Sequence, residues 1–313
     1  MRILISGGDG FIGKHLVRKL HSDGESIIVI DNHITSYIEN TNLENVTHIE
    51  KSIETINLND YPVVDVIFHM ASVASPLVYK DDFKNVYNPN VKGTEKLIEL
   101  ASRDNAKLIY TSTSEVYGML TDELTSGEGI SENSISISHL LTDRSIYPTS
   151  KRIGEELIYN YIKSGGNAII LRLFNVYGPS MDVRNNGYGR VIPNFINAVK
   201  NNKCLTIFGD GKQVRSFVWI EDMVSALIRV MKSGECPSII NIGNNESHTI
   251  NELAQLVFEI YGKNTGIEYS RIDVDDPLWR KPNCDLMKTN FSWEPKTTLF
   301  EGLRIIIDGK KNE

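Results

Sequence analysis

Arg2-Ile3-Leu4-Ile5-Ser6-Gly7-Gly8-Asp9-Gly10-Phe11-Ile12-Gly13 opens the chain and decides its fold. Arg2–Ser6 is a short apolar run of strand length that ends in a glycine loop. After it, Phe11, Ile12, Leu16, Val17 and Leu20 recur at helical spacing, and Gly24 closes the helix. A second apolar strand, Ile27–Ile30, ends in Asp31-Asn32. Glycines at 7, 10 and 13 let the backbone turn tightly, approach a pyrophosphate and pack helix on strand. The pyrophosphate then sits at the helix N-terminus, where free N–H groups and the helix dipole favour an anion. Asp31 falls where an acid grips the adenosine ribose hydroxyls. An acid there repels a 2′-phosphate, so the pattern predicts NAD rather than NADP.

The strand–helix alternation continues. Val63–Phe68 reads as a buried strand ending in His69-Met70-Ala71, and Asn90–Ser102 as a helix with Leu97, Leu100 and Ala101 inward. Lys107–Ser112 is a strand. Ser150–Ser164 is a helix with Ile153, Leu157, Ile158, Tyr161 and Ile162 inward, closed by Gly165-Gly166. Ala168–Leu173 is a further strand. This predicts an α/β fold, a Rossmann-type doubly wound parallel sheet whose site lies at the carboxyl ends of the strands. Asp31, His69, Thr113 and Asn175 fall at such ends. Beyond 175 the alternation loosens into Arg190–Asn201 (helix), Leu205–Phe208 (strand), Ile220–Lys232 (helix) and Ser238–Ile242 (strand). Thr249-Ile250-Asn251-Glu252 is a capping box. The expected division is a dinucleotide-binding domain over 1–175, with 215–242 returning to it. A smaller mixed α/β substrate lobe, over 176–214 and 243–313, is expected over the nicotinamide end.

Bulk properties narrow the function classes. With 313 residues the chain has room for one large domain or two. A net charge of −7 argues against nonspecific nucleic-acid binding. Cys204, Cys236 and Cys284 have no metal-type spacing; an odd, sparse set suits buried thiols in a reducing compartment. No metal site is predicted. No apolar run approaches the 18 or so residues of a membrane span. The apolar start flows into the glycine loop and is too short for a signal peptide, so a cytoplasmic protein is expected.

A second motif carries chemistry. In Tyr147-Pro148-Thr149-Ser150-Lys151, the tyrosine and lysine are four apart and share a helix face. A lysine ammonium beside a phenol favours the phenolate, which can take a proton from a sugar hydroxyl while a neighbouring nicotinamide takes the hydride. The same spacing recurs at Tyr159…Lys163, deeper in the helix, where a tyrosine is expected to pack. What separates the first pair is its position at the helix start and the hydroxyl-rich strand end before it, Thr111-Ser112-Thr113-Ser114-Glu115.

Taken together, these residues resemble an extended short-chain dehydrogenase/reductase of the nucleotide-sugar epimerase/dehydratase/decarboxylase group. The resemblance spans almost the whole chain. It rests on Gly7-x-x-Gly10-x-x-Gly13, Asp31-Asn32, His69-Met70-Ala71, Thr111–Gly118, Tyr147…Lys151, Arg172–Pro179, Gly209–Asp222 and Arg280-Lys281-Pro282. It implies that Gly7, Gly10, Phe11, Ile12, Gly13, Asp31, Asn32, Ile53, Met70 and Ala71 hold NAD together with Tyr147 and Lys151. Thr113 orients the sugar hydroxyl, Tyr147 is the base and Lys151 its tuner. Asn175, Arg190, Arg215 and Arg280 hold the nucleotide diphosphate or the sugar. Ser52 stands where the group often has an acid for the adenine amine. Many relatives pair as homodimers through two helices per subunit, here Asn90–Ser102 and Ser150–Ser164.

The group begins by moving hydride from sugar C4 to NAD, which leaves a 4-keto sugar. Epimerases then return the hydride; dehydratases of the deoxythymidine type carry an Asp-Glu pair after the threonine. Here the pair is Ser114-Glu115, which resembles the decarboxylases of UDP-glucuronate and also the GDP-mannose dehydratases. Ala74-Ser75-Pro76-x-x-Tyr79 and Asp276-Pro277-Leu278-Trp279-Arg280-Lys281-Pro282 resemble the decarboxylase loop and arginine motif. The substrate expected is thus a UDP-linked sugar, first UDP-glucuronate. A 4-epimerase, then a 4,6-dehydratase, are the alternatives. A regulator that binds NAD without turnover is disfavoured, because such proteins usually lose Tyr or Lys and both are present. Within this reading Glu115 and Ser114 act at C5, and Arg280 balances the carboxylate or enolate charge. Thr121–Arg144, a serine-rich stretch, departs from the decarboxylase pattern.

Overall fold

In a computed structural model, residues 1–36, 43–74, 82–121, 127–137, 141–142, 144–181, 190–271 and 276–311 are described. The chain divides into two compact units. The first holds Met1–Val116, Leu141–Leu173 and Val224–Ile240; the second holds Tyr117–Leu140, Phe174–Met223 and Asn241–Glu313. The return to the first unit is thus shorter than the expected 215–242, and Tyr117–Leu140 counts with the second.

The first unit is built on a seven-stranded sheet in the order β11-β6-β5-β4-β1-β2-β3. Its strands are β1 (Arg2–Ser6), β2 (Ser26–Asp31), β3 (Val46–Glu50), β4 (Val66–His69), β5 (Lys107–Thr113), β6 (Ala168–Leu173) and β11 (Ile239–Ile242). Every pair from β3 across to β6 is parallel. β1 is central because Ile3, Leu4 and Ile5 are buried completely and have no solvent face to offer. Removing each such side chain from water contributes roughly 1.5–3 kcal/mol, which outweighs a helix cap at about 1 kcal/mol. Chain order reverses between β1 and β4, so the crevice outside their carboxyl ends is where a ligand belongs.

Helices α1 (Phe11–Ser22), α2 (Lys84–Tyr87), α3 (Thr94–Asp104) and α4 (Ile146–Lys163) belong to this unit. α2 and α3 are joined by a π-turn over Asn88–Gly93, where Pro89 has no N–H to continue an α-helix. The helix expected from Asn90 therefore becomes regular only at Thr94. α4 starts at Ile146, four residues earlier than expected, and Pro148 sits in its first turn, where the missing N–H costs nothing.

α4 keeps most of the predicted inward face, with Ile158 buried and Tyr161 and Ile162 packed against the core, and corrects it at Ile153. Its buried residues are Tyr147, Ser150, Lys151, Gly154, Glu155 and Ile158, whereas Ile153 is 39% exposed. Tyr159, expected to pack, is also exposed, with the Lys163 ammonium 5.3 Å from its ring centroid. The first half of the buried stripe is polar and small, so apolar periodicity found its second half, from Ile158 on, and misplaced Ile153. At its centre a Cβ on Gly154 would overlap the Tyr110 hydroxyl and lie 2.9 Å from the Asn90 carbonyl. Gly154→Ala is expected to destabilise by about 1–3 kcal/mol, read as a lower urea midpoint with unchanged slope.

Among the described residues the second unit has three small sheets: β10 (Val218–Trp219) on β7 (Val176–Tyr177), β12 (Ser247–Thr249) and β14 (Trp279–Arg280) either side of β9 (Val214–Ser216), and β13 (Ile267–Ser270) on β8 (Leu205–Phe208). Its helices are α5 (Val191–Lys200), α7 (Ile250–Tyr261), α8 (Asp285–Phe291) and α9 (Leu299–Lys311), while α6 (Ile220–Lys232) starts in it and runs into the first unit. The Thr249–Glu252 capping box forms at the start of α7. Of the three thiols expected to be buried, Cys284 is, and burial pushes it up to about 12; Cys204 and Cys236 are only half-buried. No described helix is long and apolar enough to cross a membrane.

Candidate active site

The glycine loop leaves β1 at Gly7, whose φ of 73° suits glycine. A Cβ there would come within 2.6 Å of the Ala71 nitrogen, so the loop lies directly on the backbone that follows β4. A Cβ on Gly13 would stand 2.7 Å from the Gly8 Cα. These glycines keep the first turn of α1 open, and Gly10 at its N-cap brings no side chain to satisfy the N–H groups. The donors of Phe11 and Ile12 are thus left for an anion. The Met70 and Ala71 N–H groups donate to Ser6 Oγ at 3.2 and 3.3 Å, which fixes the opposite wall.

Asp31 ends β2 and is buried; its carboxylate accepts from the backbone N–H of Asp9 and His33 and from Ser36 Oγ, at 3.1, 3.0 and 2.8 Å. Asn32 donates to Ser52 Oγ at 3.1 Å. Ile53 lies in this region, but its side chain is part of the hydrophobic core, so only its backbone is available for contact. One arrangement here was not foreseen. Asp9, within the glycine loop, is buried and meets two imidazoles, His33 Nε2 at 2.9 Å and His48 Nδ1 at 3.2 Å. The open helix terminus, the glycine cradle and the acid at the end of β2 together fit a dinucleotide without a 2′-phosphate.

At the end of β5, Thr113 Oγ1 accepts the Glu115 N–H at 3.2 Å, which tightens the turn that carries Ser114 and Glu115. Ser114 is buried and Glu115 half-buried. Arg144 Nη2 lies 3.9 Å from Glu115 Oε1, and the Arg144 carbonyl accepts the Tyr147 N–H at 3.4 Å. The strand end and the start of α4 are thereby tied together. Tyr147 is 7% exposed, its ring against Val73, Val86 and Ile146. One turn on, Lys151 donates to the Thr111 carbonyl at 2.7 Å. Burial pushes the Lys151 ammonium down to about 7, and the Glu155 carboxylate pulls it back up.

In the second unit, Arg215 and Arg280 are register partners on β9 and β14. Arg215 pairs with Asp276 at 3.1 Å, and Arg280, buried, donates to the Gly118 carbonyl at 3.2 Å. Asn175 donates to the Ser216 carbonyl at 3.1 Å, next to Arg215 in sequence. Arg190 is the half-buried N-cap of α5. Two arginines at paired positions of neighbouring strands suit an anionic ligand. Ser75 lies outside the described residues, as do parts of Thr121–Arg144.

Residues 3–243 match the NAD dependent epimerase/dehydratase family. The chain belongs to that family. Among its curated relatives, UDP-glucuronic acid decarboxylase 2 of Arabidopsis thaliana is 37% identical over 98% of this chain and 67% of the relative. Among solved structures, the UDP-glucose 4-epimerase of Thermotoga maritima in complex with UDP-glucose superposes with a TM-score of 0.89 at 29% identity, covering 100% of both chains. The UDP-glucuronic acid 4-epimerase of Bacillus cereus, in complex with UDP-glucuronic acid and NAD, gives 0.87 at 26% identity, covering 100% of this chain and 99% of that one. As an enzyme of the epimerase/dehydratase family, this protein uses NAD.

Within this family member, His69 adds a pH dependence that the motif did not reveal. It is fully buried, with Nδ1 on Ser6 Oγ at 2.8 Å and Nε2 near the Pro89 carbonyl and Thr94 Oγ1, both at 3.1 Å. Burial pushes its imidazole down from 6.5 to about 3, and the Lys151 cation pushes the same way. The unfolded chain takes up a proton below the ordinary imidazole value; the folded chain does not until the lower one. Stability is therefore expected to fall as pH drops through that window, by at most about 1.4 kcal/mol per pH unit. Urea midpoints of wild type and His69→Gln should converge as the pH is lowered from neutrality towards 5.

Proposed function

We propose that the chain decarboxylates UDP-glucuronate through a 4-keto intermediate, giving UDP-xylose or the 4-keto pentose. The observation that carries this reading is Glu115 with Arg144 beside it, on the two segments that present Thr113 and Tyr147. NAD, when bound, accepts the hydride from C4. Thr113 orients the C4 hydroxyl, and the Tyr147 phenolate takes its proton. The product is a β-keto acid, which loses CO2 because the ketone accepts the electron pair of the breaking bond. Tyr147, now protonated, donates a hydrogen bond to the enolate oxygen, and a cation stabilises its charge. Glu115, with Ser114, passes one proton to C5, which completes the 4-keto pentose; UDP-xylose follows where the hydride returns to C4 and Tyr147 gives its proton to the C4 oxygen. Arg144 offers the nearby guanidinium, and Arg280 and Arg215 are assigned to the anionic groups of the substrate. Asn175, Arg190 and Ser75 are assigned to substrate binding. The first unit is assigned to NAD and the second to the nucleotide sugar.

A 4-epimerase is the second reading, favoured by the likeness to the two epimerase structures. The readings separate on one experiment. NAD-loaded protein is incubated with UDP-glucuronate, UDP-glucose and UDP-N-acetylglucosamine, and products are weighed by mass spectrometry. Loss of CO2 from the first supports decarboxylation, and a new product of unchanged mass overturns it. A homodimer in the cytoplasm is part of the proposal. Exposed Ile153 and Tyr159 on α4 support the pairing, and light scattering at the monomer mass would refute it.

A further inference from the structure

Glu155 lies one turn beyond Lys151 on α4 and is buried. Its carboxylate is held from the sheet. Ser112 Oγ donates to one oxygen at 2.5 Å and Arg172 Nε to the same oxygen at 2.9 Å, while Arg172 Nη2 reaches the other at 2.6 Å. Ser112 and Arg172 are register partners on β5 and β6, so two neighbouring strands grip one point of the helix. As a pin alone this is an expensive choice, since a buried ion pair costs desolvation and apolar residues hold helices on sheets as well. What apolar residues would not supply is a fixed negative charge near Lys151.

Among the described residues, four titratable groups stand around the ammonium. Tyr147 and Glu155 share its helix, Tyr110 comes from β5 with its ring centroid at 5.0 Å, and neutral His69 comes from β4. Arg152, whose Nε donates to the Val116 carbonyl at 3.0 Å, and Arg172 stand around Glu155. Lys151 gives its own hydrogen bond to the Thr111 carbonyl, so Glu155 acts on it through space.

We propose that the Ser112–Glu155–Arg172 clamp is a positioning device that keeps Lys151 charged, and through Lys151 keeps Tyr147 ready as phenolate. This rests on the reading of Tyr147 and Lys151 as the proton-transfer pair. The active pair shares one proton, carried either by Lys151, leaving a phenolate, or by Tyr147, leaving an amine. Burial favours the uncharged form. Glu155 is four residues from Lys151 and eight from Tyr147, so its charge favours the ammonium more than it opposes the phenolate. Arg172 offsets part of that field and sets its strength. Removing the charge of Glu155 makes the last proton easier to lose, and removing Arg172 makes it harder.

The test is the pH profile of nicotinamide reduction when NAD-loaded protein is mixed with UDP-glucuronate or UDP-glucose in single-turnover absorbance measurements. Glu155→Gln is expected to move the alkaline limb down by about one pH unit and lower the optimum rate about tenfold. Arg172→Met is expected to move the limb up, and Glu155→Asp to restore the wild-type position. A mere pin would not give opposite shifts. Folded, NAD-binding Glu155→Gln and Arg172→Met proteins whose limbs stay in place, or move the same way, overturn the inference. If Glu155→Gln does not fold, a limb unmoved or lowered in Arg172→Met does so alone. Wild-type protein that reduces no NAD with either sugar at any pH refutes the pair's assignment, and the inference with it. A normal wild-type profile that the variants leave unchanged refutes the inference only.

Discussion

Tyr147→Phe is expected to fold, bind NAD as wild type does, and lose turnover by about a thousandfold. The ring would stay in its pocket of Val73, Val86 and Ile146, so the change removes the proton-accepting oxygen and little else. Tyr159→Phe is the matched control. It has the same spacing to a lysine, but it is exposed, and its Lys163 stands over the ring in solvent rather than behind a buried phenol. Full activity is expected of it. Steady-state rates for both variants, with NAD affinity measured separately, check the assignment; equal losses in the two would remove Tyr147 from the chemistry.

The second large effect is expected at Glu115. Glu115→Gln keeps the shape of the turn, since Thr113 Oγ1 accepts the backbone N–H and not the side chain. Oxidation at C4 depends on Tyr147 and should continue, so reduced nicotinamide still accumulates. Protonation at C5 loses its donor, and release of the finished product is expected to fall by about a hundredfold. Following nicotinamide absorbance and product in one reaction tests this. Both signals falling together would mean that Glu115 serves C4 oxidation or only the fold.

Much of this was legible in the sequence, for reasons that can be named. The glycine loop, β1 and Asp31 combine backbone geometry with a continuous apolar strand, and both leave local marks. The Tyr147–Lys151 spacing is likewise local. The interior of α4 was not legible in the same way, because its buried stripe runs through Tyr147, Ser150, Lys151, Gly154 and Glu155 and turns polar groups inward. Hydrophobic periodicity therefore found Ile158, Tyr161 and Ile162 but also selected Ile153, which is exposed. β3 is a mostly half-exposed edge strand, Val46–Glu50, with a polar pattern resembling a loop. Arg144 lay in a serine-rich stretch with no motif, and only the approach of α4 to the end of β5 brings it to Glu115. The Glu155–Arg172 pair is seventeen residues apart in sequence and meets where α4 packs on β6, with Ser112 brought beside Arg172 by the β5–β6 register. An Asp within the glycine loop could have been noticed as unusual, but His33 and His48 reach it only once β2 and β3 pair.

Decarboxylation is decided at the carboxylate of the sugar. UDP-glucuronate labelled isotopically at that carboxyl carbon would be mixed with NAD-loaded protein, and the label followed by NMR. Decarboxylation predicts that the label leaves the nucleotide sugar and appears as bicarbonate, while a pentose forms in equal amount. Label retained in a new UDP-sugar of unchanged mass, the 4-epimer, would rule decarboxylation out.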